Sequence, residues 1–182
     1  MAACAPIAAY LIAWSIVGMP KKWNTAVTRF KHLFSPLDLR GLEIRNRILS
    51  TGHQTYLAQG GLVGDDFIAY HEARARGGAG LIVVEAARYH ESTLSDSPEI
   101  VVSSDDCIPG YRRLAAAVHR HGACIFGQLS HSGRCTRRSQ AGMRGVAYAP
   151  SAVPDNRFHT MPREMPADLI AEIIEAGGRY AG

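Results

Sequence analysis

From Leu33 onward, short apolar runs alternate with stretches of helical spacing. Leu33-Phe34-Ser35-Pro36-Leu37, followed by Leu39, Leu42 and Ile44, predicts a short hairpin turning at Arg40-Gly41. Arg47-Ile48-Leu49-Ser50-Thr51 predicts a first core strand. Asp65 or Asp66 can cap a helix running through Ala75, and Gly77-Gly78 supplies its stop. Gly80-Leu81-Ile82-Val83-Val84-Glu85 predicts a second strand, apolar on both faces as parallel strands between helices tend to be. Pro109 opens a second helix, in which Ile108, Tyr111, Leu114 and Val118 recur at helical spacing and which Gly122 ends. Cys124 through Leu129 predicts a third strand. A long connection from His131 to Pro166 follows, and Leu169, Ile170, Ile173 and Ile174 begin a third helix.

Strand and helix signals in series indicate a parallel α/β sheet with right-handed crossovers. A closed (β/α)8 barrel of the TIM type needs ~250 residues. This chain of 182 residues is expected to supply only about the first three of its βα units. The long connection, rich in Arg, Gly, Pro and Ser, is of the kind that is usually functional.

Residues 1–32 stand apart from 33–182. Ala2 through Pro20 contains no charged residue, and Lys21-Lys22 follows directly. The length approaches the ~20 residues that span a bilayer, and charges placed after the segment would favour an outward N-terminus. No positive residue precedes it, unlike a secretory signal, and Pro6, Tyr10, Ser15 and Gly18 dilute its hydrophobicity. The segment is expected to be an apolar leader or poorly ordered extension, with a membrane anchor through residues 2–20 as the alternative.

Composition narrows the picture further. A 47% hydrophobic and 20% charged chain is that of a globular domain with a real core. The net charge is +4, but the basic residues are scattered arginines without a recognition motif, which argues against nucleic acid. Cys4, Cys107, Cys124 and Cys135 are widely spaced, so neither a zinc ribbon nor a disulfide framework is supported. A reducing compartment, the cytoplasm, fits that usage.

The chemistry concentrates at Gln128-Leu129-Ser130-His131-Ser132-Gly133-Arg134, where the third strand emerges into a loop. Ligands of parallel α/β sheets bind at this carboxyl end. An amide placed there must satisfy several donors and acceptors, and leaving it buried and unpaired costs roughly 1–3 kcal/mol. Gly52, just past the first strand, would let backbone approach a flat ring closely. Read alone, each also fits an ordinary turn glycine and a backbone-bonded glutamine.

The heptapeptide closely resembles the Gln-Leu-x-His-x-Gly-Arg signature of the Old Yellow Enzyme and dienoyl-CoA reductase family of flavin oxidoreductases. The resemblance runs from about Leu33 to the C-terminus. It implies a TIM-type barrel, FMN as cofactor, NAD(P)H as reductant and a small enone or enoyl acceptor. It also implies that Gln128 hydrogen-bonds the pyrimidine edge of FMN. Asn46-Arg47-Ile48-Leu49 matches the family's lead into the first barrel strand, after which Ala-Pro-Met-Thr is common. Here the aligned residues are Thr51-Gly52-His53-Gln54, a departure that leaves backbone contacts intact. Ala86 aligns with a small residue beside the flavin's carbonyl edge. The implied cofactor-binding set is therefore Gly52, His53, Gln54, Ala86 and Gln128.

No catalytic residue is assigned. The family's substrate-binding pair and proton-donating tyrosine come from the next strand, so His131 and Arg134 are expected to shape the loop. The 182-residue chain is accordingly expected not to turn over alone, and pairing with the rest of a barrel is its alternative fate. Cys135, beside Arg134, Arg137 and Arg138, has surroundings that could lower a thiol pKa, but with no base in view an inert thiol is expected. His119 and His121 point in different directions on a helix, and His71-Glu72 lacks a second histidine at ligand spacing, so no metal site is expected. Asp105-Asp106 is read as helix N-terminal charge.

Overall fold

A computed structural model describes residues 29–94, 98–136, 139–140, 143–144 and 146–181. The leader, residues 2–20, lies outside them. No helix among the described residues is long and apolar enough to cross a membrane.

The chain enters through a hairpin of β1 (Leu37–Leu39) and β2 (Leu42–Ile44), paired Leu37 to Ile44 and Leu39 to Leu42. Its tip needs left-handed backbone at both central positions, with Arg40 at φ 51° and Gly41 at φ 87°. Such a two-residue turn matches the twist of the strands it joins.

The main sheet follows. Strand β3 (Leu49–Ser50) pairs in parallel with the start of β4 (Leu81–Arg88), which pairs along its whole length with β6 (Cys124–Ser130). Because β6 occupies one edge of β4 throughout, β5 (Ile100–Val101) shares the other edge with β3, beside Ala87 and Arg88. Sequence patterning overlooks β5, a two-residue strand too short to carry a period. It also places the end of β4 too early, since Ala86 pairs with β6, and Ala87 and Arg88 pair with both β6 and β5.

Helices α1 (Asp65–Arg76) and α2 (Ile108–His119) link these strands. They pack on each other and on β4 and β6, burying Phe67, Ile82, Val84, Ile100, Leu114 and Val118 in one core. The N-cap of α1 is Gly64 and not an aspartate; Asp65 and Asp66 lie within the first turn. There they favour the helix through its dipole and not through a side-chain cap. Asp105 and Asp106 occupy a 3-10 turn, Asp105–Cys107, that leads directly into α2.

The amino ends of the strands are clamped by the segment ahead of β3. The Arg45 guanidinium donates to the carbonyls of Ala75 and Ala79, each at 2.9 Å, and to that of His121, joining the ends of both helices. Asn46, buried, donates to Gly78 O at 2.9 Å and accepts from Ile48 N–H at 3.0 Å. Arg45 and Asn46, the first residue of the Asn-Arg lead, are thus scaffolding at the end of the sheet away from the ligand side.

Beyond β6 come the hairpin of β7 (Ser139–Gln140) and β8 (Met143–Arg144), and a parallel pair, β9 (Tyr148–Ala149) with β10 (Arg163–Glu164). Helix α3 (Ala167–Ala181) closes the described chain. Strand β6 departs from the expected buried strand, because Gly127 and Gln128 are exposed and Leu129 is 39% exposed. Among the described strands it pairs with β4 alone, so its second edge is left without a strand partner there.

Candidate functional site

The carboxyl ends of β3, β4 and β6 converge. Ala86 is the register partner of Gln128 across β4 and β6. Gly52 lies just past β3, and a Cβ placed on it would sit 2.8 Å from Gln128 Oε1 and 2.8 Å from the Val84 carbonyl oxygen. Both are too close for a real side chain, so only glycine fits between the glutamine and the central strand. The structure therefore brings Gly52, Ala86 and Gln128 into one place.

The side chain of His53 is engaged elsewhere. His53 Nδ1–H donates to Thr51 O at 3.2 Å, which leaves Nε2 to accept from the Tyr70 hydroxyl of α1. Its ring stands 5.4 Å from that of Tyr70. Gln54 is half-buried, and its Nε2 is shielded from solvent without a protein partner. With its ring on α1, His53 adjoins Gly52 through its backbone.

Around it runs a second layer, of which sequence reading anticipated only His131 as a loop-shaping residue. Gly133 N–H donates to His131 Nδ1 at 3.0 Å, so His131 carries its proton on Nε2 and donates to Ser92 Oγ at 2.9 Å. The Ser92 hydroxyl in turn donates to His90 Nδ1 at 2.8 Å, which also accepts Ser92 N–H at 3.2 Å. His90 Nε2 then faces Glu172 Oε1 of α3 at 3.4 Å. Burial, followed by the nearby His90 and Arg88, holds the His131 pKa below the ordinary histidine value and favours this neutral arrangement. Thr93, fully buried, accepts Ser132 N–H at 2.6 Å. The loop after β4 is thereby stitched to the loop after β6 at His131 and Ser132. His131 was expected to shape this loop, but its partners Ser92 and His90 belong to no motif in the sequence.

Cys135 departs from the arginine-activated setting that its neighbours allowed. Its thiol donates to Asp155 Oδ1 at 3.2 Å, and that bond, then burial, raises its pKa; Arg134 and Arg157 oppose the rise only in part. A thiol so held stays protonated and is a poor nucleophile. It lines a cavity of about 330 Å³ with Ser132, Arg134 and Ser151, separate from the Gly52–Gln128 convergence. His121 Nε2–H donates to Glu72 Oε1 at 2.9 Å, a hydrogen bond joining the segment after α2 to α1. Among the described residues no group of three or more His, Cys, Asp or Glu could hold a metal ion.

The class of protein follows from this sheet and site. Residues 32–181 match the NADH:flavin oxidoreductase / NADH oxidase family, and the chain belongs to it. It is 39% identical over 152 residues to the NADH oxidase of Thermoanaerobacter brockii, covering 82% of this chain and 23% of that protein. To the NADPH dehydrogenase of a Geobacillus species it is 36% identical over 146 residues, covering 79% and 42%. The structure of the Old Yellow Enzyme homologue from Zymomonas mobilis superposes with a TM-score of 0.67 at 25% identity, covering 79% of this chain and 42% of that one. The chain thus spans less than half the length of these relatives, and its sheet is the opening part of a TIM-type barrel.

The family's flavin is FMN, with NAD(P)H as reductant. The residues present fit a flavin. The backbone at Gly52 has no side chain to hold a flat ring away, Ala86 is small, and Gln128 is an exposed carboxamide with no side-chain hydrogen bond among the described residues.

Proposed function

We propose that this chain is the N-terminal part, residues 33–182, of an FMN-dependent oxidoreductase that takes electrons from NAD(P)H and delivers them to an activated alkene or related small acceptor. The single observation that carries the reading is the convergence of Gly52, Ala86 and Gln128 at the carboxyl ends of three parallel strands. Bound FMN supplies hydride transfer between a nicotinamide and the acceptor. The chain's own part is binding and orientation. Gln128 offers a carbonyl and an NH2 group to the pyrimidine edge, Gly52 and Ala86 leave room for the ring, and the backbone of His53 and Gln54 continues the wall. The open edge of β6 is where the remaining strands of a barrel would pair, in this polypeptide or another.

The test is a chimera in which residues 32–181 precede the remaining barrel units of the Geobacillus NADPH dehydrogenase. It is expected to purify with FMN and to reduce an enone with NAD(P)H. Replacing Gln128 by leucine should leave the fold intact and weaken FMN binding by about 0.5–1.5 kcal/mol, roughly two- to tenfold. A folded chimera that ignores FMN, or a leucine variant with unchanged affinity and reduction potential, would reject this assignment.

A further inference from the structure

Strand β4 carries one residue too many. Val83 is opposite Phe126 and Ala86 is opposite Gln128, so three steps along β4 face two along β6. Such a bulge re-aims a side chain, and here it places Val84 and Glu85, neighbours in sequence, both in the interior at 1% exposure. In a regular strand one of the two would face the other way.

A carboxyl group is costly to bury unless it is paired. No ion pair of the described residues includes Glu85. Its Oε2 accepts Thr55 N–H at 2.7 Å, while Oε1 is shut off from solvent without any partner. Among the described residues, the side chain's one hydrogen bond therefore goes to the backbone of the irregular segment 51–58, which carries Gly52, His53 and Gln54. That segment contains no regular element, and Tyr56 is held at φ 58° while 59% exposed; its other restraints are the His53–Tyr70 contact, the bond from Leu57 N–H to Thr55 Oγ1 at 3.2 Å, and the packing of Leu57 and Ala58 against the core. An apolar side chain would fill the bulge at lower cost but would hold nothing.

We infer that Glu85 is a positioning residue, which by accepting Thr55 N–H fixes the Gly52–Gln54 backbone against Gln128. Its relevance to flavin rests on the function proposed above; the mechanical claim does not. The bulge puts the carboxyl on the interior side, and the same distortion sets Val84 O under Gly52. One irregularity thus locates the loop at two points, residues 52 and 55. Hydrogen-bond acceptance at Oε2 is the required property, so an amide at this position can substitute and a hydrocarbon cannot.

Amide hydrogen exchange of the whole 182-residue polypeptide tests this directly, with wild type, Glu85→Gln and Glu85→Leu compared at peptide resolution. Glu85→Leu is expected to speed exchange at least tenfold across residues 51–58 while α1 and α2 keep their protection. Glu85→Gln is expected to stay within about twofold of wild type. Unchanged protection of 51–58 in the leucine variant, or equal loosening in both variants, would overturn the inference. Should the leucine variant fail to fold, Glu85→Asp decides, because its shorter carboxylate falls short of Thr55. Selective loss at 51–58 then supports the role, and unaltered protection refutes it. In the chimera, Glu85→Leu should weaken FMN binding about tenfold and Glu85→Gln should restore it. Loop loosening with no change in FMN affinity would sink the flavin reading and leave the loop assignment standing.

Discussion

Acidification from pH 7 to pH 4 is expected to remove roughly 3 kcal/mol of folding stability through His71 alone. This imidazole is 1% exposed, and neither ring nitrogen has a partner. Its ring packs 4.6 Å from that of Phe67 and 5.1 Å from that of Tyr70. Burial first, then the charges of Arg74 and His53, push its pKa from 6.5 to about 4. The sign follows from which state binds the proton. Above pH 6.5 the side chain is neutral whether folded or unfolded, and the full stability is present. Between 6.5 and about 4 the unfolded chain takes up a proton that the folded chain refuses, so stability falls; below about 4 the loss levels off. At about 1.4 kcal/mol per unit, that window gives the figure stated. His131, displaced in the same direction, adds to the slope. Urea unfolding at several pH values measures the effect, and His71→Leu should flatten most of it. A slope untouched by that substitution would assign the acid sensitivity elsewhere.

Gly52→Ala is expected to cost about 1–3 kcal/mol of stability and, in the chimera, to weaken FMN binding more than Gln128→Leu does. The new Cβ would meet Gln128 Oε1 and Val84 O, each at 2.8 Å. The first contact can be relieved by swinging the glutamine away, which removes the proposed pyrimidine partner. The second cannot, because Val84 O belongs to the strand held between β3 and β6. Relief there means prising residue 52 off the sheet. Two measurements separate the contributions. Denaturant unfolding reports the backbone strain, and FMN titration of Gly52→Ala with and without Gln128→Leu reports the lost amide. Wild-type stability and affinity in the alanine variant would mean that the close approach at Gly52 has no consequence.

Much of the scaffold was legible because it is local. The hairpin tip at Arg40-Gly41 is signalled by a glycine that accepts left-handed backbone, and β4 by an apolar run unbroken on both faces. Helix α2 is set by Pro109 at its start and four apolar residues at its spacing. The Gln128 heptapeptide, through its resemblance, pointed to the family and to FMN. These signals need no knowledge of the rest of the chain, since backbone sterics and the periods 2 and 3.6 act over a few residues.

What remained hidden depends on contacts between distant segments. Strand β5 exists because Ile100 and Val101 find the free edge of β4, and no periodicity announces a two-residue strand. Position 52 requires glycine because of Gln128, more than seventy residues away, and a carbonyl of β4. His53, assigned to the flavin wall by its place in the chain, turns instead to Tyr70. The His131–Ser92–His90 chain and the Glu85 bulge likewise arise only after β4 and β6 have paired. The sequence by itself determined the order of the elements and the residue types at the sheet's carboxyl end. The tertiary structure alone decided which of them meet, because hydrogen-bond partners and steric limits at that end are set by strand register, a relation between segments and not a property of any one of them.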